Sequence, residues 1–133
     1  MSQRNKALLL TVVVLLAVVL VALLLFLRAA LDYKGTVEAI TIQEVDLSQV
    51  ADGTYTGACD AGLVSAQVAV TVEDGAITEV SLTDYHSILG RGAETIPGEI
   101  VAQQRIGVDA VSGATDSSTV IEKAVENALT GAG

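Results

Sequence analysis

The chain has 133 residues, 51 % of them hydrophobic, and a formal net charge of −9, but both the apolar residues and the charge are unevenly placed. Residues 29–133 carry all 16 acidic side chains against four basic ones (Lys34, Arg91, Arg105, Lys123), a net charge of −12 that excludes nucleic acid and anionic lipid headgroups as partners of that part. Cys59 is the one cysteine, which excludes an intrachain disulfide and a cysteine-held metal or iron–sulfur centre, so any redox role needs a borrowed cofactor.

Residues 1–6 form a short polar head. Residues 7–27 contain no charged side chain and a single hydroxyl, Thr11. As a helix this block is roughly 31 Å long, about the thickness of a bilayer's hydrocarbon core, and it is expected to span the membrane. Two other readings are weaker. A buried core helix would have to be wrapped on all sides by a domain of about 80 to 100 residues. A cleaved signal has an apolar region of only ~7 to 15 residues, and Arg28 falls where its small-residue cleavage site belongs. Arg4 and Lys6 before the span balance Arg28 and Lys34 after it. The free N-terminal amine tips the head toward the cytoplasm, which makes the remainder extracytoplasmic. Residues 28–51 are read as a juxtamembrane spacer with Tyr33 at headgroup level. Within it Ile40 and Ile42 alternate like a strand, whereas Val37, Ile40, Glu44 and Leu47 suit a helix face, and both patterns stand.

A domain is expected over 52–133. Asp52-Gly53 marks a turn, 54–56 a first strand, and 57–62 a loose connection in which Cys59 is a half-buried residue. Residues 64–73 alternate, with Ala66, Val68, Val70 and Val72 on one face. Asp74-Gly75 is a two-residue hairpin signal, and a partner strand follows from Ala76 to about Asp84 with Val80 and Leu82 on the buried face. Residues 85–92 break the pattern: His86 and Arg91 supply nitrogen donors, and Gly90 and Gly92 let backbone approach a ligand. On its residues alone this stretch reads first as an ordinary solvated loop. Residues 93–104 suit a short helix with Pro97 in its first turn.

The stretch Asp109-Ala-Val-Ser-Gly-Ala-Thr115 is a turn of small residues that feeds a strongly periodic helix. Its apolar stripe is Val120, Ile121, Ala124, Val125, Ala128 and Leu129, with Glu122, Lys123, Glu126 and Asn127 on the other face. Thr119 and Glu122 have the spacing of a capping box, while Asp116, Ser117 or Ser118 would cap one turn earlier. A turn that enters a helix N-terminus gathers unpaired N–H groups and the positive end of the helix dipole, a suitable seat for a phosphate. Ser112, Gly113 and Ala114 leave room around the Thr115 hydroxyl, and N–H groups near Ser117 and Ser118 are the expected phosphate donors. Asp109 would repel a phosphate, so it either stabilises the turn or is read by a partner.

The Asp-x-x-Ser-Gly-Ala-Thr pattern resembles the flavinylation signature of FMN-binding domains in the flavin-carrying subunits of ion-pumping NADH:quinone and ferredoxin:NAD oxidoreductases, and in smaller membrane-anchored extracytoplasmic electron-transfer proteins. The resemblance runs from Asp52 to Leu129 through Asp52-Gly-Thr-Tyr-Thr-Gly57, Val72-Glu-Asp-Gly-Ala-Ile77, His86-x-x-x-Gly-x-Gly92 and the Asp109 motif. It implies FMN attached by a phosphoester to Thr115, installed by a flavin transferase that uses FAD and Mg²⁺, and contact of His86 and its glycine-rich loop with the flavin. Asp116 departs from the pattern, since relatives often carry an apolar residue there, and its charge would act on phosphate affinity. The expectation is therefore an α+β protein: one N-terminal transmembrane helix, then a small antiparallel sheet packed against a C-terminal helix. Functionally it is a single-pass, extracytoplasmic FMN electron carrier that exchanges electrons with membrane redox partners and lacks a catalytic residue or metal site of its own. An enzyme domain reducing a small substrate is disfavoured because no second nucleotide fingerprint is present. A cofactor-free assembly or adhesion module is the alternative.

Overall fold

The computed structural model describes residues 2–87 and 92–131, which fall into two compact units, 1–32 and 33–133. The first unit is the apolar part of helix α1 (Gln3–Glu38). Its large side chains, Leu8 through Leu27, are more than 40 % exposed, so the buried-core alternative fails. The helix is long and apolar enough to cross a membrane. A signal helix shares that length and composition.

The second unit holds an antiparallel sheet in the order β1 (Gly53–Asp60), β2 (Val64–Glu73), β3 (Ala76–Ser87), then helices α2 (Ile96–Gln103) and α3 (Thr115–Thr130). The expected α+β layout is present. The alternation of β2 puts Val64, Ala66, Val68, Val70 and Val72 into the core, where α3 covers them with Val120, Ile121, Ala124 and Val125. Asp74 and Gly75 take φ of 52° and 74°, the left-handed pair that a two-residue hairpin turn needs.

Three local differences from the sequence reading have physical causes. Residues 57–60, expected as a loose connection, continue β1, because Gly57 faces the core and lets the α3 backbone lie directly on the strand. Strand β3 runs on to Ser87 and carries two bulges, at Thr78 and Thr83, where the β2 register shifts. Each bulge threonine donates its hydroxyl to a β2 carbonyl, Thr78 to Thr71 (3.3 Å) and Thr83 to Gln67 (3.0 Å). The short helix begins only at Ile96, with Pro97 in its first turn as expected, and closes on Gln104 in the left-handed conformation.

The stretch 36–51 neither alternates as a strand nor continues as one helix face. Tyr33 and Val37, in the last turns of α1, are buried in the domain core, and Ile40, Ile42, Val45 and Leu47 pack against it as the chain runs on into a single 3-10 turn, Leu47–Gln49. Polar ties secure this strap: Gln43 N–H and Lys123 Nζ both reach the Glu126 carboxylate, Lys123 also reaches the Thr41 carbonyl, and Glu44 reaches Ile106 and Gly107.

Candidate functional site

The loop between α2 and α3 is shaped by few interactions, each traceable to a residue type. Gly113 has φ +81° with open space around it, which turns the chain into α3. Ala114 is the N-cap and offers no side-chain bond. The bracing comes from inside the helix: the Ser118 hydroxyl accepts the Val111 N–H (3.1 Å) and donates to the Ala114 carbonyl (2.8 Å), which also accepts the Ser118 N–H (2.9 Å). Among the described residues the N–H groups of Thr115, Asp116 and Ser117 have no partner, as the orphan donors of the first turn. With Gly113 and Ala114 these residues line an open cavity of about 290 Å³. Thr115 is exposed, and its hydroxyl makes no hydrogen bond among the described residues.

This arrangement corrects the sequence reading in two places. Ser118, expected among the phosphate donors, has its hydroxyl and N–H engaged in bracing the loop, and the first-turn N–H groups left unbonded among the described residues are those of Thr115, Asp116 and Ser117. No capping box forms between Thr119 and Glu122: the Thr119 hydroxyl bonds the Thr115 carbonyl (3.1 Å), and Glu122 is buried.

Ser112 and Asp109 are exposed on the same loop. Gly92 lies against it, since a Cβ there would stand 3.4 Å from the Ala114 methyl. Two residues further, Glu94 lines a second cavity of about 400 Å³ with Leu82, Thr83, Asp84 and Tyr85. Gly90 lies outside the described residues. His86 is described, and the Thr83 bulge decides its direction. Simple alternation from Leu82 would turn His86 inward, but the extra residue places Tyr85 on the core face, opposite Ala66, and His86 on the solvent face opposite Ser65. There its Nε2 lies 2.9 Å from Asp84 Oδ1, with the imidazole 75 % exposed.

Two groups that the sequence reading did not connect with the motif border it. Tyr33, beyond the apolar block, has a fully buried hydroxyl without a partner at bonding geometry among the described residues, yet beside the Asp116 carboxylate. Burial, then Asp116 and Tyr85, push its phenol up to about 12, which keeps it a proton donor available to that carboxylate. No local pattern signals this pairing across 83 positions of chain. Glu122 is the other: it is buried, with Oε1 unpartnered among the described residues. It lies on one buried line of α3 with Ser118, Val125 and Leu129, although its charge put it on the polar face in the sequence. Cys59 is half-buried on β1, and burial raises its thiol, which makes it a weak nucleophile.

Burial, then the Glu44 carboxylate, raise Glu122 to about 7, with Asp109 adding and Arg105 opposing. A carboxyl raised in the folded state stabilises fully below its ordinary value near 4.5, and that contribution is lost as pH rises through about 7. At about 1.4 kcal/mol per pKa unit the loss is on the order of 3 kcal/mol. Urea unfolding at pH 5, 6, 7 and 8 is expected to show it in the wild type. Glu122→Gln should flatten the profile and be the more stable protein at pH 8; parallel profiles for the two proteins would refute this.

A two-layer α+β domain with an exposed hydroxyl and three N–H groups unbonded among the described residues at a helix start, opening on a cavity, suits a phosphate-bearing ligand. The chain is a member of the FMN-binding domain family, whose model matches residues 62–130, and it is an FMN-binding protein. No curated protein and no solved structure matches it.

Proposed function

We propose that the protein is a membrane-anchored, extracytoplasmic electron carrier whose FMN is esterified through its phosphate to Thr115. The observation that carries this reading is the Thr115 hydroxyl itself: exposed, unbonded among the described residues and set among small residues at the start of α3. In the attachment step Thr115 Oγ bonds to the flavin-side phosphorus of FAD, the pyrophosphate bond breaks, AMP leaves, and the hydroxyl proton passes to the transferase. The Thr115, Asp116 and Ser117 N–H groups neutralise part of the ester's charge. The buried Tyr33 hydroxyl lies beside the Asp116 carboxylate. Bound FMN supplies one- and two-electron chemistry, and the chain contributes its place and surroundings. Helix α1 tethers the domain, and the flavin exchanges electrons with membrane redox partners.

The test is the intact mass of the full chain co-expressed with a flavin transferase. A gain equal to FMN less one water is expected, on the peptide containing Thr115. No gain, with a control substrate modified in the same cells, would refute the attachment and favour the assembly module. Protease digestion of sealed vesicles should remove the domain only from the extracytoplasmic side.

A further inference from the structure

Ile106 and Gly107 present two consecutive N–H groups, and one carboxylate takes both: Glu44 Oε2 accepts from Ile106 (2.9 Å) and Oε1 from Gly107 (2.7 Å). Gly107 leaves room for the carboxylate, since a Cβ there would lie 2.9 Å from Oε1 and the Glu44 side chain would have to shift. Downstream the loop is tied sparsely. Val108 N–H bonds Ile106 O (2.8 Å), Val111 N–H bonds Ser118 Oγ (3.1 Å), and Ala114 N–H bonds Val111 O (2.9 Å). Ser118 braces the outbound limb from α3. Among these polar ties, Glu44 alone holds the inbound limb from a distant segment, and that segment precedes the family-matched residues 62–130.

We propose that Glu44 is a positioning residue for the flavin acceptor loop: its carboxylate clamps the Ile106 and Gly107 backbone so that residues 108–115 hold one conformation and present Thr115 to the transferase. The inference rests on Thr115 being the acceptor. A transferase must bring Thr115 Oγ in line with a phosphorus, and a displacement of about 1 Å costs on the order of a hundredfold in such steps. A carboxylate suits the task because its two oxygens meet two parallel donors at once, with the added strength of a charged acceptor. Glutamine retains one acceptor oxygen and is expected to hold half the clamp. On this reading the strap between the membrane helix and the sheet is a working part of the flavin site.

The experiment uses the full chain in detergent, with Glu44→Ala, Glu44→Gln and a control, Asn127→Ala, which breaks the Asn127 Nδ2 to Ala58 carbonyl bond (2.8 Å) on a part of α3 well beyond Thr115. Amide hydrogen exchange is read at Val108, Val111 and Ala114, whose N–H groups are bonded within the loop, and the initial rate of flavin attachment is read by mass. Glu44→Ala is expected to speed exchange at those three amides at least tenfold and slow attachment at least fivefold, with Glu44→Gln between it and the wild type. Asn127→Ala should change both by less than twofold even where it lowers Tm as much. Unchanged exchange in Glu44→Ala, or attachment rates that follow Tm alone across all three variants, would overturn the proposal. A wild type that takes no flavin would refute the Thr115 reading instead, and the exchange data would still decide whether Glu44 orders the loop.

Discussion

Thr115→Ala is expected to lose covalent flavin completely and to keep its fold. The side chain is exposed at the first position of α3, and alanine has the higher helix propensity, so the stability change should stay within about 0.5 kcal/mol. Chemically the change is all-or-none, because no other atom of that side chain can form a phosphoester. Thr115→Ser keeps the hydroxyl and should keep attachment, at a rate altered only by the freer rotamer of serine. Intact mass, visible absorption of the acid-denatured protein and Tm together check the prediction. Persistent covalent flavin in Thr115→Ala would point to another hydroxyl. Ser118 is engaged and buried and Ser117 is buried, which leaves exposed Ser112 as the acceptor to map next.

What was legible in the sequence was local. The Asp74-Gly75 turn, the alternation of β2 and the periodic stripe of α3 are decided by neighbours within a few residues, and all three stand in the structure. The turn into α3 was legible for the same reason: Gly113 and Thr115 stand beside a helix start. The parts that were not legible depend on chain segments meeting across long separations. Glu44 reaches Ile106, Tyr33 meets Asp116, and the strap covers one side of α3, so Glu122 is buried on a helix whose own pattern put it on the polar face. His86, expected in a loop over 85–92, lies on β3 instead, where the Thr83 bulge sets its face. Alternation has no means of anticipating the Thr83 bulge, and one extra residue moves every following side chain to the opposite face of the sheet.

Gly57 gives the sharpest case in which packing overrides propensity. A valine in the middle of a strand between Thr56 and Ala58 would be favoured by strand preference alone, by up to about 1 kcal/mol. The structure predicts the reverse. A Cβ at residue 57 would stand 2.3 Å from the Ala128 nitrogen, 2.4 Å from the Ala124 carbonyl oxygen and 2.6 Å from the Ala128 Cα. All three are backbone atoms of α3, and no rotamer change relieves the clash. The helix would have to lift off β1, and lifting it uncovers Val68, Val70, Ala124 and Val125 together. Ordinary overpacking costs about 1–3 kcal/mol where side chains can shift. With an immovable helix backbone, Gly57→Ala is expected to cost more than about 3 kcal/mol, and Gly57→Val to leave the domain unfolded at 37 °C, given a total stability of about 5–15 kcal/mol for a domain. Gly98→Ala is the matched control: it sits inside α2 with no atom within 4 Å of the new methyl, and it should gain about 0.5–1 kcal/mol from helix propensity. Urea titrations followed by circular dichroism on the two alanine variants should therefore move the midpoint in opposite directions. A Gly57→Ala midpoint at or above that of the wild type would mean that α3 does not lie on β1 as closely as the structure places it.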